Sequence, residues 1–294
     1  MLSAAFLIGA TFALLAVGYS VAYSSMNMVN FAHGEVFMSG GLAGYFVLEL
    51  GRNSGGPHGV IGFVIAVATG GIVGALIAFA LQRLVYRPLL HRDRLSLVLA
   101  ALGASLFLQQ MGLLLLRLQG SGSSERTMNL GDADRIQVLG LTTVECIGLF
   151  LLIASVCVVA WLIEMTRFGI RLRAIAFSVD ALRRLKQPVD VNIGLAFALG
   201  GFVAGAAGVV YAAQYSLSPF MGFTPGIKAF LACIVGGRSI YGAVLGGFAI
   251  GVTEGLLSGW LGSAWRDVIT AALIMGVLVA KPEGLYSFGK PRTL

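Results

Sequence analysis

Asn30, His33 and Glu35 bring an amide, an imidazole and a carboxylate close together in the run Asn30-Phe31-Ala32-His33-Gly34-Glu35. The flanking runs, residues 2–22 and 36–50, are apolar and read as membrane-embedded. Ionisable groups at membrane depth are costly and by default mark a functional site. Two readings stand. In one, the run lines or gates a solute path, or relays a proton between His33 and Glu35. In the other, its polar groups serve structure, either as a short loop at the membrane surface or as a brace for a broken helix.

Little else in the chain offers catalysis. Gly-x-x-x-x-Gly-Lys-Ser/Thr, the phosphate-cradling loop, is absent from the sequence. The three histidines, His33, His58 and His91, lie in different segments with no helix-spaced pair. Cys146, Cys157 and Cys233 sit in apolar runs and read as small buried hydrophobes. No Ser/His/Asp arrangement or metal-ligand spacing is visible, so no catalytic residue is assigned and no cofactor or metal is expected on this chain.

The elements that must position Asn30–Glu35 follow from composition. The chain has 294 residues, 57% of them hydrophobic and 11% charged, with mean hydropathy +0.90. Soluble domains carry roughly 25% charged residues. The fold class is therefore all-α, polytopic and membrane-embedded, and the long uninterrupted runs argue against a β-barrel. The 41 glycines suit close helix packing. A net charge of +7 is read as loop charge that orients the chain in a bilayer, not as a nucleic-acid surface.

Apolar runs near 20 residues place spans at 2–24, 34–50, 59–81, 95–116, 141–163, 191–213 and 268–280. The first is taken as a span, not a cleavable signal. Residues 82–94, 166–190 and 281–294 hold four, six and three of the 20 Lys and Arg. Alternation puts these segments on one side, the cytoplasm by the positive-inside rule. The N-terminus is then outside and the C-terminus cytoplasmic, which needs an odd number of crossings. About seven full spans satisfy this if residues 226–257 form a broken, re-entrant hairpin folding back at Gly236-Gly237. Residues 226–235 make only about 15 Å of helix. Breaks in both halves of a membrane chain point to a transport site, so Gly236 and Gly237 join Asn30, His33 and Glu35 as path or gate candidates. The bland alternative makes them packing glycines.

Residues 166–190 carry Arg167, Arg171, Arg173, Asp180, Arg183, Arg184 and Lys186. Leu172, Ile175, Ala176, Val179, Leu182 and Leu185 form a spaced apolar stripe. A short helix ending near Gln187, before Pro188, is predicted. Asp180 and Arg184 stand four apart and can pair on one face. Such a cytoplasmic helix either lies on anionic lipid or docks a soluble partner.

Together these residues resemble the permease subunits of branched-chain amino acid ABC importers, of the LivH type. The resemblance rests on Asn30–Glu35, Tyr86-Arg87-Pro88-Leu89, Phe107-Leu108-Gln109-Gln110, Arg167-Phe168-Gly169 and Arg173-Ala174. It continues through Gly222-Phe223, Lys228-Ala229-Phe230, Gly236-Gly237 with Gly242-Ala243, and Lys281-Pro282-Glu283-Gly284-Leu285. It covers nearly the whole chain, read as a single permease domain, 1–294.

The resemblance implies a bacterial cytoplasmic-membrane importer built from several chains. A homologous LivM-type permease would be the partner. Two cytoplasmic ATPase subunits would hold ATP and magnesium, and an extracytoplasmic binding protein would deliver substrate. The segment 166–190 would be the ATPase coupling segment, with Arg173, Ala174, Asp180, Arg183, Arg184 and Lys186 as its contacts. The implied cargo is a branched-chain amino acid, with urea, short amides or aromatic acids as alternatives. A proton-coupled transporter or channel is the reading from another class. Phe177-Ser178, Lys186 and Arg238-Ser239-Ile240-Tyr241 depart from the family pattern.

Overall fold

A computed structural model describes residues 2–26, 30–56, 59–89, 92–119, 125–128, 137–138, 141–236 and 239–261. Beyond these it describes residues 265, 268, 270–272, 275–276 and 279. Gly237 and the tail that carries Lys281 lie outside the described residues, and the span predicted at 268–280 falls partly outside them.

The long helices are α1 (Leu2–Met26), α2 (His33–Ser54), α3 (Gly59–Leu81), α5 (Arg94–Leu118), α6 (Thr143–Met165), α9 (Val189–Gln214) and α11 (Ile240–Leu261). Shorter ones are α4 (Arg87–Leu89), α7 (Arg167–Phe177), α8 (Val179–Arg184) and α10 (Phe223–Val235). A two-residue antiparallel pair, β1 (Gln137–Val138) with β2 (Leu141–Thr142), precedes α6. Thr142 caps α6, its hydroxyl accepting from the Glu145 N–H while the Glu145 carboxylate accepts from the Thr142 N–H at 2.7 Å.

Six helical stretches among the described residues are long and apolar enough to cross a membrane: Ala5–Ser25, Gly59–Leu89, Leu95–Leu118, Thr143–Met165, Val189–Gln214 and Ile240–Leu257. α2 has 22 residues, about 33 Å of helix, but carries Glu35, Glu49 and Arg52. Residues 240–257, read as one arm of a hairpin, form a helix of spanning length.

The core is α1 and α9, buried along most of their lengths. Small residues let their neighbours approach backbone to backbone. Gly247, Gly251 and Gly255 form one face of α11 against α1. A Cβ there would lie 2.7 Å from Ala13 Cα, 2.5 Å from Gly9 Cα and 2.5 Å from Ala5 Cα, respectively. α5 and α6 turn Leu99, Leu106, Phe107, Phe150 and Trp161 outward, as lipid-facing helices do. Cys157 is also outward on α6, whereas Cys233 is buried as expected.

Two sequence boundaries need correction. Residues 82–94 are not a loop throughout. The helix continues through a widened π-turn at Gln82–Tyr86, with the Arg87 N–H reaching the Gln82 carbonyl, and runs to Leu89. Pro88 has no N–H to continue the ladder, and the wider turn lets the chain proceed past it. Residues 166–187 are not one helix. Ser178 is extended (φ −159°, ψ 105°) and splits the segment into α7 and α8. α8 ends at Arg184, earlier than Gln187, and Lys186 takes φ 54° to turn the chain. A left-handed residue just before Gln187-Pro188 stops the helix where proline disfavours the α conformation.

Candidate functional site in a broken helix

The chain leaves α1 at Met26 and starts α2 at His33, and between them Asn30 and Ala32 are buried and Phe31 half-buried. Backbone groups freed by such a break need partners inside the protein. Asn30 supplies several of them. Its N–H donates to the Tyr19 hydroxyl at 2.7 Å, and its carbonyl accepts from the His33 N–H at 3.1 Å. Its Oδ1 accepts from the Ala32 N–H at 3.1 Å and from the Tyr86 hydroxyl at 2.6 Å. Asn30 therefore fixes the angle at which α2 departs and ties it to α1 and to the π-turn after α3.

His33 and Glu35 leave α2 in different directions. The His33 ring meets Tyr19 edge-on, centroids 5.2 Å apart, over Gly18 of α1, where a Cβ would come 3.2 Å from Nε2. Glu35 faces α5. Its Oε1 accepts from Gln109 Nε2 at 2.8 Å and from Ser105 Oγ at 3.2 Å, and all three residues are buried. The fold does not bring the expected His33–Glu35 proton relay together. Three polar atoms stay buried and unpartnered here: Asn30 Nδ2, His33 Nε2 and Glu35 Oε2.

The other wall is the stretch between α9 and α10. Gly34 and Gly222 meet so closely that a Cβ on either would run into the other's carbonyl, and Gly226 closes on Gly34 from the next turn. Only residues without a side chain allow that contact. A Cβ on Gly222 would also lie 3.1 Å from Glu35 Oε2. α10 has 13 residues, about 20 Å, too short for a membrane of about 30 Å. Gly236 ends α10 and packs against Gly242, so its lack of a side chain serves the tight turn into α11.

Sequence reasoning missed a second polar site. Lys228 Nζ donates to Glu254 Oε2 at 2.7 Å, and both side chains are buried. Thr270 Oγ1 donates to the same oxygen at 3.2 Å, and Phe12 presents its ring 5.7 Å from Nζ. A lone lysine in an apolar run was the available signal, because a charge at membrane depth requires a partner.

The segment 166–190 forms an elbow. Arg173 Nη1 donates to the Ile163 carbonyl at 3.0 Å, and a Cβ on Gly169 would run into that same carbonyl. Leu172 and Ile175 of α7 are buried against the bundle, which leaves less of the apolar stripe for lipid than expected. Arg167, Ile170, Arg171 and Phe177 face outward, with Phe177 92% exposed. Ala174 is half-buried, and Arg184 and Lys186 are exposed. The side chains of Asp180 and Arg183 lie outside the described ones, and the expected Asp180–Arg184 pair with them. Arg87 pairs with Asp190 at 2.9 Å, linking the start of α4 to the start of α9.

Among the described residues no three His, Cys, Asp or Glu side chains group as metal ligands. The geometry suits holding a bent chain and offering a few lone pairs and N–H groups to a polar solute.

Residues 1–278 match the family model described as branched-chain amino acid transport system / permease component. The chain is similar to the high-affinity branched-chain amino acid transport system permease protein LivH of Escherichia coli K12. Identity is 30% over 298 residues, covering 97% of this chain and 93% of the relative. Its similarity to BraD of Pseudomonas aeruginosa, a permease protein of the same kind of system, is 32% over 297 residues, at 97% and 93%. A probable LivH of Methanocaldococcus jannaschii is 27% identical over 284 residues, at 92% and 87%.

Proposed function

Because the chain belongs to the branched-chain amino acid transport permease family, we propose that it forms one half of the translocation path of an ATP-driven amino acid importer. The other half is a homologous LivM-type permease. Two cytoplasmic ATPase subunits bind ATP and magnesium, and an extracytoplasmic binding protein delivers the substrate, most simply leucine, isoleucine or valine. The complex sits in a bacterial cytoplasmic membrane, N-terminus out and C-terminus in.

One observation carries this reading. Four separated motifs of the permease resemblance interlock around the broken helix: Asn30 with Tyr86, Glu35 with Gln109, and Gly34 with Gly222. Family motifs that meet at one polar, buried break describe one shared apparatus. In it Asn30 sets the break, His33 and Glu35 border the path, and Gly236 ends the short helix against Gly242. The exposed arginines and Phe177 of the elbow suit a soluble partner with acidic and apolar surface. ATPase closure would push there, and Arg173 and the Arg87–Asp190 pair would pass the motion into α6, α4 and α9.

Co-purification tests the assembly. A tagged copy of this chain should bring down one second permease and two ATPase subunits, with ATP hydrolysis stimulated by loaded binding protein. A chain that purifies alone, or only with itself, contradicts the proposal.

A further inference from the structure

The end of the bundle where α2 stops holds a cavity of about 420 Å³, within the roughly 300–1,000 Å³ of small-molecule sites. Tyr45, Glu49 and Arg52 line it from α2. Glu125 and Arg126 line it from the stretch after α5, and Ser216 from the stretch after α9. Two carboxylates and two guanidiniums thus share one small space. Their charges nearly cancel, so a solute of single charge gains little net attraction. A zwitterion can place its carboxylate on a guanidinium and its ammonium on a carboxylate.

The wall is built, not draped. Arg126 and Leu217 exchange both backbone hydrogen bonds, at 2.9 and 2.7 Å. Arg126 Nε is buried in this lining without a hydrogen-bond partner, a donor still open. The same backbone runs on from Ser216 to Gly222, whose Cβ position lies 3.1 Å from Glu35 Oε2. One short run therefore leads from the cavity to the broken helix.

We infer that this cavity is an acceptor site for a free amino acid, which holds the α-carboxylate on Arg52 and Arg126 and the α-ammonium on Glu49 and Glu125. The inference rests on the importer reading above, whose orientation puts this end outside the membrane. The solute released at the mouth is oriented here before it moves along residues 216–222 toward Glu35.

The test is equilibrium binding of L-leucine to the complete transporter in lipid nanodiscs, without binding protein. Two probes lack one charge each: 4-methylpentanoate and 3-methylbutylamine. Leucine should bind, each probe about tenfold or more weaker, and Arg52→Gln and Glu49→Gln should each weaken leucine about tenfold. Ser54→Ala, exposed and outside the lining, should not change it. Leucine binding that is absent from the wild type, or the same in Arg52→Gln, Glu49→Gln and Arg126→Gln, overturns the site. In a separate run, co-sedimentation of the binding protein with the nanodiscs is measured: its loss in Arg52→Gln and Glu49→Gln with leucine binding intact also overturns the site, and makes the patch a protein-docking surface. Uptake driven by ATP is measured in parallel. If uptake fails, the importer reading falls; if it succeeds while leucine binding ignores these variants, only the acceptor site falls.

Discussion

Gln109 donates its amide to Glu35 across the α2–α5 contact at 2.8 Å, two side chains 74 positions apart in the chain. That bond turns Glu35 away from His33, which packs instead on Tyr19. A carboxylate and an imidazole two residues apart on a helix point to different faces, because each residue rotates the side chain by about 100°. The polar break is thus two separate braces on one turn, with one oxygen of Glu35 left over.

Replacing Gln109 by leucine leaves the Glu35 Oε1 atom with Ser105 alone. We expect a loss of about 1 kcal/mol or less in stability, the size of a hydrogen bond between membrane helices. Glu35→Gln keeps an acceptor at Oε1, so the assembled amount should match the wild type while transport falls. Thermal melting of the purified complex and uptake per assembled complex check the two parts. Unchanged transport in Glu35→Gln would reduce the residue to a brace.

Gly34 and Gly103 make a matched pair. A Cβ on Gly34 meets the Gly222 backbone, whereas one on Gly103 meets nothing within 4 Å. Gly34→Ala should separate α2 from the start of α10 and cost about 1–3 kcal/mol through overpacking. Gly103→Ala should be neutral or stabilise by up to about 1 kcal/mol through helix propensity. Melting temperatures of the two variants side by side decide it, and equal effects would contradict the backbone contact.

The Lys228–Glu254 pair predicts a strong non-additivity. Lys228→Met strands the Glu254 carboxylate in the protein interior, and Glu254→Met strands the ammonium. Breaking a buried pair from one side costs about 3–5 kcal/mol, while an apolar replacement of both is often tolerated. Both single variants should assemble poorly, and the double variant should recover much of the loss. A double-mutant cycle on thermal stability measures the coupling, and additive losses would mean that the pair does not form.

Coupling has its own variant. Arg173→Ala removes the link from α7 to the Ile163 carbonyl while sparing the buried Leu172 and Ile175. The chain should insert and bind its ATPases, with fewer amino acids moved per ATP hydrolysed. Hydrolysis and uptake measured on the same proteoliposomes give that ratio, and an unchanged ratio would free Arg173 from coupling.

Spans were legible where hydropathy is local. Gly59 emerged as the start of its span because a glycine turn precedes it, and the end expected at Leu81 is where the helix passes into the π-turn on its way to Leu89. The π-turn was not legible. Arg83, Arg87, Arg92 and Arg94 read as loop charge, yet a helix leaving the membrane can carry arginines on its outward face. Asn30 and Glu35 stood out as costly polar groups, but their partners Tyr86 and Gln109 lie 56 and 74 positions away and only packing joins them. Lys228 and Glu254 stayed hidden for the same reason, 26 positions apart on two helices. Composition shows that a buried charge needs a partner; the fold shows which one.

We propose that transport by this permease runs on energy supplied by separate ATPase subunits. Its most direct measurement is uptake of radiolabelled leucine into proteoliposomes that contain the whole complex, with loaded binding protein outside and ATP inside. Uptake should need the ATPases, the binding protein and hydrolysable ATP, and should persist when the proton gradient is collapsed. Uptake by this chain alone, driven by a proton gradient without ATP, would contradict it.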